Sequence, residues 1–383
     1  MGFSRPSAAV TVAIGTPTPG GSAMDDGPPH RRRFLGLAGA AAMTSAFALP
    51  GERTDLAFLG GYTSAGGRGL LVARAGPAGT LTVRESVDVP DPSFLALSPG
   101  GRRLYAVSEV DDGRVLAFAL TREGSPRPLG HRSAHGAAPA HLSVHPSGRY
   151  LLSATYSGGT VAVHPIRPDG SLGPSAHVVR HDGAEPHPHQ IVTAPDGRFV
   201  LAVDLGTDSV LVYRLDLATG RLDRHSRARL RPGAGPRHLA FHPGGHTAYV
   251  INELDSTVTV CAYDRGRLTP GQIVSTVPEG TTTPNYPGEI LVSPDGRHVY
   301  GTNRGHDSVA VFATRGRRLR LVTTVACGGH WPRHMELARG GRLLYVANQR
   351  SGSVTAFTVS GARLEPAGTP LTTPAPACVL PRF

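Results

Sequence analysis

The chain contains no lysine, so all 39 of its permanently basic side chains are arginine. This rules out a lysine Schiff base and the phosphate-gripping lysine of a P-loop. Cysteine is scarce as well. Cys261, Cys327 and Cys378 show no CxxC spacing, which argues against a disulfide scaffold or a cysteine-bound zinc and leaves buried structural thiols as the expectation. No Gly-x-Ser-x-Gly elbow occurs, so a covalent serine hydrolase is not favoured. No basic run is interleaved with aromatics, which removes nucleic acid as a partner. No ten-residue amphipathic helix pattern interrupts the chain, so alternating α/β architectures are excluded.

What is abundant is glycine (49) and proline (34) in 383 residues, with 39% hydrophobic and only 17% charged side chains. Heavy glycine and proline use around β-branched runs points to many short strands joined by tight turns. The formal charge of +11 is carried by a side chain suited to bidentate recognition of carboxylate or phosphate. A solvated, arginine-rich surface produces the same excess.

Residues 1–54 read as a disordered leader. Within about 24–48, Arg31-Arg32-Arg33-Phe34-Leu35 precedes a short Ala/Leu-rich run ending near Ala46-Phe47-Ala48, the pattern of a twin-arginine export signal. The run is too short for a stable membrane span. Export to the envelope or medium is expected, with a cytoplasmic location if the leader does not function.

From Leu56 onward the sequence repeats. A Pro-x-x-apolar-x-apolar line recurs at Pro92, Pro139, Pro188, Pro236, Pro287, Pro332 and Pro376, with intervals of 47, 49, 48, 51, 45 and 44 residues. Six copies run on into a turn and a second strand, as in Ser293-Pro-Asp-Gly-Arg-His-Val-Tyr300. Third and fourth strand patterns follow, such as Ser308-Val-Ala-Val-Phe312. Four antiparallel strands per ~45 residues make one propeller blade. The seventh copy stops after one strand, and the chain begins with three unmatched strands near Leu56. The expectation for residues 55–383 is therefore an all-β, seven-bladed β-propeller, closed by pairing the C-terminal strand with the N-terminal blade. Closure leaves no open sheet edge.

In such a ring, the start of each first strand meets the end of each second strand at one mouth. Strand starts supply Ser93, His141, His189 and Gln190, Arg237 and His238, Glu289, and Arg333 and His334. Strand ends supply Tyr62, Glu109, Tyr156, Asp204, Asn252 and Glu253, Asn303 and Arg304, and Asn348 and Gln349. Imidazoles, guanidiniums and carboxylates are costly to bury unless paired or used, although a wet channel also tolerates polar lining. Arg237 and Glu253 come from adjacent strands, so a contact between them is expected, either as an anion-binding and base pair or as a simple ion pair. His189, after Pro186-His187-Pro188, suits general acid–base work near neutral pH. The His187-x-His189 pair lacks a third ligand at helpful spacing, so no metal is expected. Asp307 and Ser308, after Arg304, read as a turn rather than a triad.

These segments resemble the lactonase family of seven-bladed propellers, which includes bacterial 6-phosphogluconolactonases and fungal carboxymuconate cyclases. The most specific stretches are Gly233-Ala-Gly-Pro-Arg-His-Leu-Ala-Phe-His-Pro243, Tyr249-Val-Ile-Asn-Glu-Leu-Asp-Ser-Thr-Val258, Pro186-His-Pro-His189 and Thr302-Asn-Arg-Gly-His-Asp-Ser308. The resemblance implies catalytic roles for His189, Arg237, Glu253 and Arg304. His238, Glu289, Arg333 and His334 are assigned to substrate binding around them. One departure is Gly288-Glu289-Ile290-Leu291, where the family commonly carries Ala-Asp-Ile-His. The implied function is cofactor-free hydrolysis of a small anionic sugar-acid lactone of the 6-phosphogluconolactone type by a monomer. The alternatives are a carboxymuconate-type cycloisomerase and a non-catalytic exported propeller that binds a sugar acid.

Overall fold

The computed structural model describes residues 55–383. The leader and its twin-arginine pair lie outside the described residues. The described chain folds into seven four-stranded antiparallel sheets. In the blade that begins at Pro236 the strands are Pro236–Phe241, Thr247–Asn252, Thr257–Asp264 and Arg267–Ser275, innermost first. Each of the other blades is named here by the proline of its first strand in the same way.

The Pro376 blade is composite, as the repeat count predicts. Its innermost strand, Pro376–Arg382, pairs with Leu56–Gly61 from the other end of the chain, in the register Leu56↔Arg382 to Gly60↔Cys378. Leu70–Ala75 and Leu81–Val87 complete it. The seven inner strands touch one another in a closed circuit that returns from the Pro332 blade through Pro376–Arg382 to the Pro92 blade.

Burial follows position in the blade. Second strands such as Thr247–Asn252 and Leu343–Asn348 are buried along their whole length, because a neighbouring blade covers each face. Outermost strands such as His177–Arg180 alternate half-buried with exposed. Seven apolar clusters fill the seven seams between blades. At one seam Tyr249, Ile251, Val258 and Val260 pack on Ile290, Val299, Ala310 and Phe312. Each Ile, Val or Phe among them contributes about 1.5–3 kcal/mol by leaving water. The three cysteines are free and buried, as expected.

The repeat proline has a consequence for the ladder. In the Pro236 blade, Pro236 pairs with Asn252 but His238 pairs with Ile251, so Arg237 is the extra residue of a β-bulge. The same slip leaves His189 unpaired between Pro188 and Gln190, Arg333 between Pro332 and His334, and Ala140 between Pro139 and His141. In the Pro287 blade it takes up Gly288 and Glu289 together. A bulge breaks strict alternation, so two successive residues reach the channel instead of one. The Pro92 blade departs from the sequence expectation, since its first strand shrinks to Leu95–Leu97. Asp91 turns the backbone at φ +40°, and its carboxylate is held by Thr63 and Ser64, which leaves Ser93 outside the ladder.

Candidate active site

The bulged residues and the second-strand ends converge at one mouth of the channel. Glu253 follows the strand Thr247–Asn252 and faces two guanidiniums. Its Oε2 lies 2.6 Å from Arg304 Nη2 and 3.3 Å from Arg237 Nε. Both arginines are also pinned to backbone. Arg304 donates from Nε to Tyr286 O (2.8 Å) and from Nη2 to Pro287 O (3.1 Å), and Arg237 donates to Gly288 O. Glycine is required at 288, because a Cβ there would stand 2.7 Å from Thr302 Oγ1 and 3.0 Å from Arg333 O.

A third guanidinium completes the cluster. Arg333 lies over the Tyr62 ring, with its carbon 5.1 Å from the ring centre, and 3.7 Å from Glu109. Tyr62 donates its hydroxyl to Glu109 at 2.8 Å. Three arginines therefore gather around two carboxylates. Burial, then the neighbouring charges of Arg304 and Arg333, push the Arg237 pKa down to about 9, opposed by Glu253 and Glu289. Burial lowers Arg304 as well. Burial also acts against Arg333, but Tyr62, Glu109 and Glu253 outweigh it and hold its pKa above the ordinary value. Such a site gains from an incoming anion, which adds the missing negative charge.

Beneath this rim lies a buried chain of proton-carrying groups. His189 Nδ1 is 3.1 Å from His238 Nε2, and His238 Nδ1 is 2.9 Å from Glu289 Oε1. Glu289 Oε1 also accepts from the Ile290 N–H at 3.0 Å, and its Oε2 lies 3.5 Å from His334 Nε2. Burial pushes His189 well below the usual imidazole range, helped first by Arg237. Burial does the same to His238 and His141 and brings His334 down to about 4. Burial raises Glu289, opposed by His334, Arg237 and the Ile290 N–H. The chamber between these rings, lined by Ser93, Phe94, His238, Glu289 and His334, has a volume of about 10 Å³, room for one water at most.

All eight sequence-predicted residues are thus brought together, but at two depths. Arg237, Glu253, Arg304 and Arg333 form the rim and His189 stands at the boundary. His238, Glu289 and His334 lie below it, so the structure places them behind the rim rather than in the open mouth. The turn expected after Arg304 is present. Asp307 Oδ1 accepts the Gly305 and Trp331 backbone N–H groups rather than an imidazole of a triad, and its Oδ2 faces the exposed His330. No group of three or more His, Cys, Asp or Glu side chains is arranged to hold a metal ion among the described residues.

Two features escaped sequence reasoning. A cleft of about 600 Å³ opens from Glu253 along Thr283, Pro284, Tyr286, Gly305, Trp331 and Arg350. Its aromatic wall, Tyr286 with Trp331 (ring centres 5.9 Å apart), belongs to a sequence column one residue before each repeat proline. That column reads Asp91, Ala138, His187, Gly235, Tyr286, Trp331 and Ala375. Five of its members have positive φ: Asp91, Ala138, Gly235, Trp331 and Ala375. The column gives the cleft Tyr286 and Trp331, and aligning the repeats one residue earlier reveals it. His187 stacks on Tyr156, centroids 4.3 Å apart, on the far side of the mouth.

The fold and this site define a seven-bladed propeller enzyme scaffold with a cationic, carboxylate-braced pocket at one mouth of the channel. The chain belongs to the lactonase family of seven-bladed β-propellers, whose model matches residues 56–381. It is 31% identical over 346 residues to the 6-phosphogluconolactonase of Bacillus subtilis, covering 85% of this chain and 97% of that protein. It is 34% identical over 298 residues to the 6-phosphogluconolactonase of Pectobacterium carotovorum, covering 75% and 87%. Among solved structures, the periplasmic gluconolactonase of Pseudomonas aeruginosa superposes with a TM-score of 0.81 at 30% identity, covering 85% of this chain and 98% of that one.

Proposed function

We propose that the protein hydrolyses a sugar-acid lactone of the 6-phosphogluconolactone type without a metal, with His189 as general base. The observation that carries the reading is the His189–His238–Glu289 chain set directly against three guanidiniums. With Glu289 ionised, His238 donates from Nδ1 to the carboxylate and accepts the Nδ1–H of His189 at Nε2. His189 Nε2 is then left with a free lone pair beside the anion pocket. Its lowered pKa keeps it unprotonated at neutral pH, as a base requires.

In this mechanism His189 takes a proton from water as the water oxygen attacks the lactone carbonyl. The charge that develops on the carbonyl oxygen falls to Arg237 and Arg304, which are already fixed by Glu253 and by backbone carbonyls. The tetrahedral intermediate expels the ring oxygen, which takes the proton back from His189, and the product is an open hydroxy acid. Glu253 serves better as a brace than as a base, because one of its oxygens faces both guanidiniums. The names of the relatives support lactone hydrolysis.

The test is hydrolysis of 6-phosphoglucono-δ-lactone by the purified protein, before and after exhaustive chelation. A rate well above the spontaneous background that survives chelation is expected. Arg237→Ala should lose about 10²–10³-fold in kcat. His189→Gln should lose about 10²–10⁴-fold. Wild-type turnover no faster than the background would remove the reading. Export through the twin-arginine leader is part of the proposal. Replacing Arg31 and Arg32 by lysine should retain the protein inside the cell, as cell fractionation would show.

A further inference from the structure

We infer that Arg350, stacked on Trp331 at the outer end of the cleft, is a distal anion subsite that recognises the phosphate of a phosphorylated sugar lactone. This rests on the lactonase reading and adds to it a residue that sets specificity. The juxtaposition starts with Trp331, the only tryptophan in the chain, held at φ +64°. A bulky residue in the left-handed region is strained, and such strain persists only where its surroundings over-determine it. Here Asp307 Oδ1 accepts the Trp331 N–H at 2.7 Å, Gln349 N donates to Trp331 O at 3.0 Å, and Arg350 N donates to His330 O at 3.1 Å. The indole so fixed carries two guanidiniums over its ring. The guanidinium carbon of Arg350 lies 3.3 Å from its ring centre and that of Arg304 lies 5.6 Å from it.

The two guanidiniums differ in what they are free to do. Arg304 is buried and committed to Glu253 and two backbone carbonyls. Arg350 is exposed, its stack on the indole restrains its plane, and it forms no ion pair among the described residues. Arg350 lines one cavity with Glu253, and Arg304 is paired to that same Glu253, so a single molecule can meet both. The sum of the two ring distances puts their guanidinium carbons at most about 9 Å apart. A phosphorylated six-carbon lactone spans roughly 6–7 Å from carbonyl carbon to phosphorus by ordinary bond lengths. That span lies within the limit, so a substrate lying alongside the two guanidiniums can present its carbonyl to the inner arginines and its phosphate to Arg350. A flat guanidinium offers two parallel N–H donors to phosphate oxygens, and the exposed ring of Tyr286 offers the sugar an apolar wall.

The experiment compares kcat/KM for 6-phosphoglucono-δ-lactone and for phosphate-free glucono-δ-lactone, in the wild type and in Arg350→Gln, with a melting curve to confirm that the variant folds. The ratio of the two values should fall about tenfold in Arg350→Gln, the size of one charge-assisted contact. In the wild type it should fall as ionic strength rises, since Arg350 is exposed. A ratio unchanged by the substitution overturns the subsite and leaves lactone hydrolysis standing. If the wild type hydrolyses neither lactone, the lactonase reading fails, and the subsite is decided by calorimetry with 6-phosphogluconate. Weaker binding in Arg350→Gln then supports it. Equal binding, or no binding, overturns it.

Discussion

At the scale of single residues, the site depends on groups kept away from their ordinary protonation. His189 is held neutral by burial and by Arg237. A base whose pKa is lowered stays active into acid, so kcat/KM should be flat from pH 8 down past 6.5, with no inflection at the usual imidazole pKa. Glu289→Gln keeps an acceptor for His238 Nδ1 but cannot offset an imidazolium forming further along the chain. It should lower kcat with little change in KM and shift the acid limb, and Glu289→Asp should recover part of the loss. A filler residue would move neither the limb nor kcat.

Glu336 is a second such residue, which the sequence did not single out. It sits in the channel below Glu289, and burial, then repulsion from Glu289, raises its pKa from 4.5 to about 8. The folded state thus binds its proton more tightly than the unfolded chain does. That contribution to stability is fully present below pH 4.5 and disappears as pH rises to about 8. Glu336→Gln should flatten the dependence of melting temperature on pH between those limits, raising it most near pH 8. Melting curves across that range check this, and an unchanged slope would contradict it.

At the scale of elements, the bulge that follows every repeat proline except Pro92 turns a plain inner strand into a presenter of side chains. His189, Arg237 and Arg333 are all bulge residues, so their aim depends on the loops that lead into the prolines. The loop before Pro188 is packed against Gly206, where a Cβ would stand 1.8 Å from Glu185 O. Gly206→Ala must therefore push this loop outward and carry His187 and His189 with it. A loss of about 1–3 kcal/mol in stability is expected. The fall in kcat should exceed what the fraction unfolded explains. Denaturant titration and kinetics on the same sample separate the two effects.

At the scale of the whole molecule, the ring closes through one strand exchanged between the chain ends. Pro376–Arg382 supplies the inner wall of its blade and packs beside the Pro332 and Pro92 blades. Deleting residues 376–383 opens the ring and exposes the edge of Leu56–Gly61, a template for aggregation. The truncated chain should be insoluble or melt without cooperativity. A permutant that joins Phe383 to Asp55 by a short linker and opens a surface hairpin elsewhere should melt cooperatively, because Leu56 and Arg382 are already paired. Calorimetry on both proteins tests the closure. Equal cooperativity in the truncated form would count against it.

The sequence by itself determined the number of blades, their strand order and the mode of closure. Seven prolines at near-constant intervals, each followed by period-two apolar patterning and a glycine turn, dictate local structure, and local structure repeated in tandem admits few global arrangements. It also determined which side chains share the mouth, since strand direction alone sends Arg237, Glu253 and Arg304 there. Only the tertiary structure decided depth and partnership. Whether His238 and Glu289 meet the substrate or stand behind His189 depends on the bulge register and on the tilt of neighbouring blades, quantities of an ångström or two that no pattern in one chain encodes. The same holds for Trp331 and Arg350. No repeat pattern links them to the site, and they become neighbours of Arg304 and Glu253 because three consecutive blades contribute to one cleft.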